Sequence, residues 1–296
     1  MSFETTLTVL GGDLRQAAVA SRLTASYRVL AWAVPQRHLL PLVIEQKDWR
    51  SAVAAADILV LPLPASPDSK HVYAPFCEDR EKPPQIGEVL AAVQSGVLVA
   101  GGRLSRGVRE LLESRHLPYF DYFENERLQQ ANAIPTAEGA VEILMREIPR
   151  TVNGLSVAIT GFGRVGQALA RLLIAMGAKV TVAARRHEVL WEAEAMGCEV
   201  LLLENAASLT ELRECDAVFN TVPQQIFTKE VLQALPLSLL LVDLASTPGG
   251  FENSALAALG RRVIFALSLP GKYAPLTAGE IIADTILEKI AQGGRV

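Results

Sequence analysis

The sequence predicts an α/β protein built from two doubly wound parallel-sheet domains with a cleft between them. Three observations predict it. The 296 residues allow two domains of ordinary size. Near-continuous apolar runs alternate with helical patterns along both halves, as strands buried on two faces require. One of these runs leads into a glycine-rich turn and a helix, the opening of a nucleotide-binding βαβ unit. Both halves are therefore expected to be Rossmann-like.

In the first half, strands are expected at TLTVL, YRVLAWAV, DILVLPLP, GVLVAGG and PYFDYF. Helical patterns such as LRQAAVASRL and GEVLAAVQS fall between them. Several strands stop at glycine or proline, which places GGDLRQ and PLPASPDS at carboxyl strand ends. Ligands of open α/β sheets bind at that edge. This N-terminal domain, expected to bind the substrate, is assigned residues 1–133. Residues 134–153 follow as a connecting helix, begun by Pro135 and ended by Pro149 and Gly154.

The second half repeats the alternation more regularly, with strands at SVAIT, KVTVAA, EVLLL, DAVFNT, LLLVDLA and RVIFA. Six strands complete a dinucleotide-binding domain at 154–274. Residues 275–296 read as an amphipathic helix that, by analogy with two-domain dehydrogenases, packs back on the first domain.

The stretch GFGRVG, Gly161 to Gly166, carries the most information. Gly161 allows the tight turn, Gly163 lets the backbone approach a pyrophosphate, and Gly166 permits close packing of the helix. Phe162, Arg164 and Val165 complete the expected cofactor loop, whose helix N-terminus favours phosphate charge. At the end of the next strand an acidic residue would favour NAD, whereas this chain has Ala184, Arg185 and Arg186. Arginine pairs with a 2′-phosphate, so NADP is expected, with NAD as the alternative. Three later strand ends face the same crevice. Asn220, Thr221, Val222 and Pro223 are expected near the adenosine-side ribose and diphosphate. Leu244, Ala245 and Ser246 are expected near the nicotinamide, and the segment 266–275 follows the last strand.

Composition narrows the function classes. Half the residues are hydrophobic and a fifth charged, as in a globular enzyme. The formal net charge of -4, with no basic cluster, argues against nucleic acid as a partner. Cys77, Cys198 and Cys215 show no CxxC spacing, so neither a disulfide framework nor structural zinc is expected, and a reducing cytoplasm fits. MSFETTLTVLGGD lacks a basic region followed by a long apolar stretch, and no apolar run is long enough for a membrane span. No HExxH or other clustered ligand set is present, so no metal is predicted. The four histidines, His38, His71, His116 and His187, all lie away from the final strands, where a 2-hydroxyacid dehydrogenase would place its acid-base group.

GGDLRQ at 11–16, NAIPTAEGA at 132–140, GFGRVG, DLASTPGG at 243–250 and LPGKYAPLTAGEII at 269–282 together resemble the A subunits of dipicolinate synthase. The resemblance covers nearly the whole chain. In some relatives a lysine stands where this chain has Leu276, so no charge acts at that position here. The resemblance implies oxidation of a dihydrodipicolinate-type intermediate to pyridine-2,6-dicarboxylate during sporulation. A flavoprotein-like B subunit is implied as partner; a homodimer is a further possibility. A small dicarboxylate needs cations and anion-binding amides. Arg15 is the first choice for a carboxylate clamp, beside Asp13 and the amides expected to be freed by Gly11 and Gly12, with Lys272 second and Arg103 third. Thr136 either lines the site or caps the connecting helix, the latter being favoured. Asp243, Glu138 and Lys272 are the candidate bases, among which the sequence does not choose. Two other readings stand beside this one: a dehydrogenase of another small hydroxy or amino acid, and a non-catalytic nucleotide-binding regulatory protein.

Overall fold

The computed structural model describes residues 5–77 and 82–293. The chain divides into two compact units, Met1–Asn132 with Ala274–Val296, and Ala133–Tyr273.

In chain order the first unit contains β1 (Thr6–Leu10), α1 (Leu14–Leu23), β2 (Arg28–Trp32), β3 (Ile44–Glu45), α2 (Trp49–Ala54) and β4 (Ile58–Val60). It continues with α3 (Ile86–Ala92), β5 (Leu98–Gly101), α4 (Arg106–Ser114), β6 (Tyr119–Asp121) and α5 (Glu126–Ala131). The sheet order is β3-β2-β1-β4-β5-β6, with every pair parallel. β1 is buried along its whole length. Helix starts are set locally. The Asp13, Asp48 and Asn125 side chains accept the backbone N–H groups of Arg15, Ser51 and Leu128, satisfying donors that a helix leaves unpaired.

The second unit contains α6 (Ala133–Glu147), β7 (Ser156–Thr160), α7 (Arg164–Ala175), β8 (Lys179–Ala184), α8 (His187–Ala195) and β9 (Glu199–Leu202). Then come β10 (Ala217–Asn220), α9 (Lys229–Ala234), β11 (Leu240–Asp243), α10 (Asn253–Leu259), β12 (Ile264–Phe265) and α11 (Leu269–Tyr273). Its sheet order is β12-β11-β10-β7-β8-β9, again all parallel. Counted within each unit, both sheets have the order 3-2-1-4-5-6 of a doubly wound dinucleotide-binding fold. The strand residues serve two cores by alternation: Val157 and Ile159 enter one apolar cluster and Ala158 the other.

The last helix, α12 (Pro275–Ala291), packs on α1 of the first unit. Gly279 makes this possible, because a Cβ there would run into the Arg15 carbonyl oxygen.

Three expectations change. Helix α6 begins at Ala133, so Pro135 lies within its first turn, where no intrahelical N–H partner is lost. Thr136 is consequently inside the helix and is not its N-cap. The helix also belongs with the second unit, where Gly139 lies against Leu269 and Tyr273. β3 is an addition to the expected strands: two residues at a sheet edge, both exposed, with no buried face to impose a pattern.

Candidate functional site

The second unit's switch point lies between β7 and β10, where the chain crosses from one side of the sheet to the other. Gly161 has φ +83, and a Cβ there would sit 2.6 Å from Thr221 Oγ1. Gly166, on the first turn of α7, lies so close to β7 that a Cβ would be 2.7 Å from the Gly161 carbonyl oxygen. Gly163 differs from both. A Cβ there would meet nothing within 4 Å, so the space beside this backbone is open at the N-terminus of α7. That combination suits a diphosphate: a tight turn, an open approach and a helix N-terminus.

A cavity of about 730 Å³ adjoins this loop. Among its lining residues are Gly161, Phe162, Gly163, Ala184, Arg185, Arg186 and Val222, all expected from the sequence. Asn205, Gln224 and Gln225 also line it and lie outside the sequence expectation. Their sequence signal is the polar pair after NTVP and the asparagine that caps the turn after β9, where its side chain accepts the Ala207 N–H. Arg185 and Arg186 are exposed at the end of β8. Arg164 and Val165 open α7, and Thr221 and Pro223 follow β10, without lining this cavity.

Asn220 and Asp243 form the frame beneath the site. Strand register places Thr160, Asn220 and Asp243 side by side at the ends of β7, β10 and β11. Thr160 Oγ1 donates to Asn220 Oδ1 at 2.6 Å, and Asn220 Nδ2 donates to Asp243 Oδ1 at 2.8 Å and to the Val222 carbonyl at 2.9 Å. Asp243 also accepts the Ala245 and Gly250 N–H groups at 3.1 and 2.9 Å. Both side chains are buried, so this network sets the course of the loops carrying Val222 and Leu244 to Ser246. Ser246 is exposed and Leu244 partly so.

Lys272 lies on the short helix α11 and Glu138 on α6; both are exposed. These helices pack against each other through Gly139, whose missing Cβ would otherwise meet Tyr273 Cδ2 at 2.9 Å.

In the first unit, GGDLRQ turns at the carboxyl end of β1. Gly11 and Gly12 have φ of +70 and +100. Contrary to expectation, their amides are not free for a ligand. The Gly11 N–H donates to the Trp32 carbonyl at 2.8 Å and the Gly12 N–H to the Tyr73 carbonyl at 2.7 Å. The segment around Tyr73 folds over the turn and takes the donor. Arg15 is buried and forked onto Asp13, with Nε 2.9 Å from Oδ1 and Nη2 2.8 Å from Oδ2. It also donates to the Leu63 carbonyl. Burial works to lower its pKa, but the Asp13 hydrogen bond and charge outweigh this and raise it. Arg15 thus spends most of its donors within the protein. Arg103 follows β5 with φ +51, its backbone N–H held by Asp121 Oδ1 at 3.0 Å.

Among the described residues no group of three or more His, Cys, Asp or Glu side chains is arranged to hold a metal ion. No helix among them is long and apolar enough to cross a membrane.

Comparison with known proteins agrees with this division. Residues 6–123 match the family described as the N-terminal domain of the dipicolinate synthase A subunit. Residues 126–267 match the D-isomer specific 2-hydroxyacid dehydrogenase, NAD binding domain. The dipicolinate synthase A subunit of Bacillus subtilis (strain 168) is 27% identical over 298 residues, spanning 97% of this chain and 96% of the relative. The crystal structure of the A subunit from Bacillus halodurans superposes with a TM-score of 0.87 at 27% identity, covering 98% of this chain and 99% of that one. That of the Bacillus subtilis A chain gives 0.83 at 26% identity, covering 99% and 97%.

Proposed function

We propose that this chain, which is similar to dipicolinate synthase A subunits over nearly its whole length, oxidises a dihydrodipicolinate-type ring to pyridine-2,6-dicarboxylate with NADP. At the coarser level it is a nicotinamide-dinucleotide-dependent oxidoreductase, a dehydrogenase-type component of that synthase. The observation that carries the finer reading is the pair Arg185 and Arg186 lining the cavity beside the glycine turn, where an NAD-selective site would carry an acid.

The residues present fit such a cofactor. The open backbone at Gly163 and the first turn of α7 would hold the diphosphate, and Arg185 and Arg186 would pair with the 2′-phosphate. Asn205, Gln224 and Gln225 supply further polar lining. The bound nicotinamide supplies the hydride acceptor. Ring oxidation also releases a proton, and because aromatisation favours product, the protein's main task is to hold the reactants in register.

Three residues stand as candidates to receive that proton. Asp243 is buried and accepts three hydrogen bonds from its own unit, so its role is to position the loop through Ser246. Glu138 and Lys272 are exposed on packed helices without that duty, which favours them as acid-base groups. Arg15 and Asp13 act as a positioning pair that fastens the β1 turn to Leu63.

The same reading includes a flavoprotein-like B subunit, together with a cytoplasmic setting and a role in sporulation. Mixing the chain with that partner, the ring intermediate and NADP tests it. The expected result is a rise in nicotinamide absorbance with stoichiometric pyridine-2,6-dicarboxylate. Product formation without nucleotide reduction would reject the dehydrogenase role.

A further inference from the structure

His71 is one of the four histidines that the proposed chemistry leaves unused, and its surroundings are ordered. Ser69, with φ +58, curls the chain so that Asp68 faces the residues just after it. Asp68 Oδ1 accepts the Lys70 and His71 backbone N–H groups at 2.9 and 2.8 Å. Its Oδ2 lies 2.7 Å from His71 Nδ1. The His71 backbone hydrogen bond, followed by that of the His71 ring, holds the Asp68 carboxyl well below the usual carboxylate range. An ionised Asp68 requires the proton on Nδ1, which leaves Nε2 as the uncommitted ring nitrogen. Both side chains are about half exposed, so the pair is reachable from solvent.

A cavity of about 330 Å³ opens on this pair. Pro67 and Pro75 give it apolar wall, while Asp68, His71, Tyr73 and Lys82 bring polar groups to it. The volume suits one small ring and is too small for a dinucleotide. A flat ring on the proline surface, with an acid group toward His71 and Lys82, would meet each of these surfaces with its own kind. The cavity also neighbours the β1 turn, since the Tyr73 carbonyl accepts the Gly12 N–H.

We propose that this cavity is a binding site for small ring carboxylates, with the Lys82 ammonium and the doubly protonated His71 ring, donating from Nε2, as its acid-recognising groups. Asp68 is the positioning residue that fixes the imidazole. Its lining residues all belong to the first unit, and those of the nucleotide cavity all belong to the second.

Calorimetry on the full chain tests this with two probes, pyridine-2,6-dicarboxylate and the open-chain acid glutarate. The ring probe rests on the substrate class proposed above; glutarate does not. His71→Gln and Lys82→Met are each expected to weaken ring-acid binding about tenfold and to leave nucleotide affinity unchanged. The His71 Cε1–H resonance should move as the ring acid is added, and Asp68→Asn should reduce that movement. Failure of both acids to bind, or equal affinity in wild type and both variants, overturns the site. Binding of glutarate alone, weakened by both variants, overturns the preference for rings at this cavity, whereas the substrate reading stands or falls on the reconstitution with nucleotide.

Discussion

Asn220 Nδ2 donates to Asp243 Oδ1 at 2.8 Å, joining the last residue of β10 to the last residue of β11. The two are register partners, so the sheet itself delivers them to this contact. Asn220→Ala removes a donor from buried Asp243 and the acceptor used by Thr160. Unsatisfied buried groups cost about 1–3 kcal/mol. A thermal melt should show a fall of several degrees, together with weaker nucleotide binding as the Val222 loop loosens.

Gly166→Ala tests the packing of α7 on β7. The added methyl would stand 2.7 Å from the Gly161 carbonyl, which is backbone and cannot rotate away. Overpacking of this kind costs about 1–3 kcal/mol. This variant should lose both melting temperature and affinity in a fluorescence titration with NADPH. Gly163 faces open space, so Gly163→Ala should keep its melting temperature and lose affinity only.

Arg185→Ala addresses cofactor choice. Removing one charge-assisted contact to a 2′-phosphate should weaken NADP binding about tenfold and leave NAD binding nearly unchanged. Equal loss for both nucleotides would move the arginine's partner to the shared diphosphate.

Cys215 gives a pH prediction. Burial first, then Asp216, Glu199 and Glu214, push its thiol up to about 11. The thiolate is the reactive form, so a raised pKa means little of it at around pH 8. Peptide mapping after brief alkylation should show Cys215 modified slowly under those conditions and progressively faster as pH rises toward about 11. Fast labelling in mildly alkaline buffer would contradict the environment described.

Much of this is legible in the sequence. SVAIT and KVTVAA become β7 and β8 without a residue's change, because strands buried on both faces must be continuously apolar. The Asn220–Asp243 contact is not legible. Each residue sits in a plausible ligand loop, and only register reveals that each is used up by the other. The amides of Gly11 and Gly12 mislead for a similar reason, since their acceptors, Trp32 and Tyr73, come from distant segments. Arg15 carries its partner in plain sight at Asp13, but an arginine two residues from an acid says nothing about burial. The His71 pair is local, yet what makes it a site is the cavity that Lys82 and the prolines complete.

Reconstitution tests the dehydrogenase role most directly: purified chain, the flavoprotein-like partner, the ring intermediate and either NADP or NAD, with nucleotide absorbance and pyridine-2,6-dicarboxylate followed together. One nucleotide should be reduced per ring aromatised, faster with NADP than with NAD. Turnover at sub-saturating nucleotide should fall when this chain is replaced by Gly163→Ala protein, which keeps its melting temperature and binds nucleotide more weakly. Pyridine-2,6-dicarboxylate formed at full rate with the nucleotide left oxidised would contradict that role.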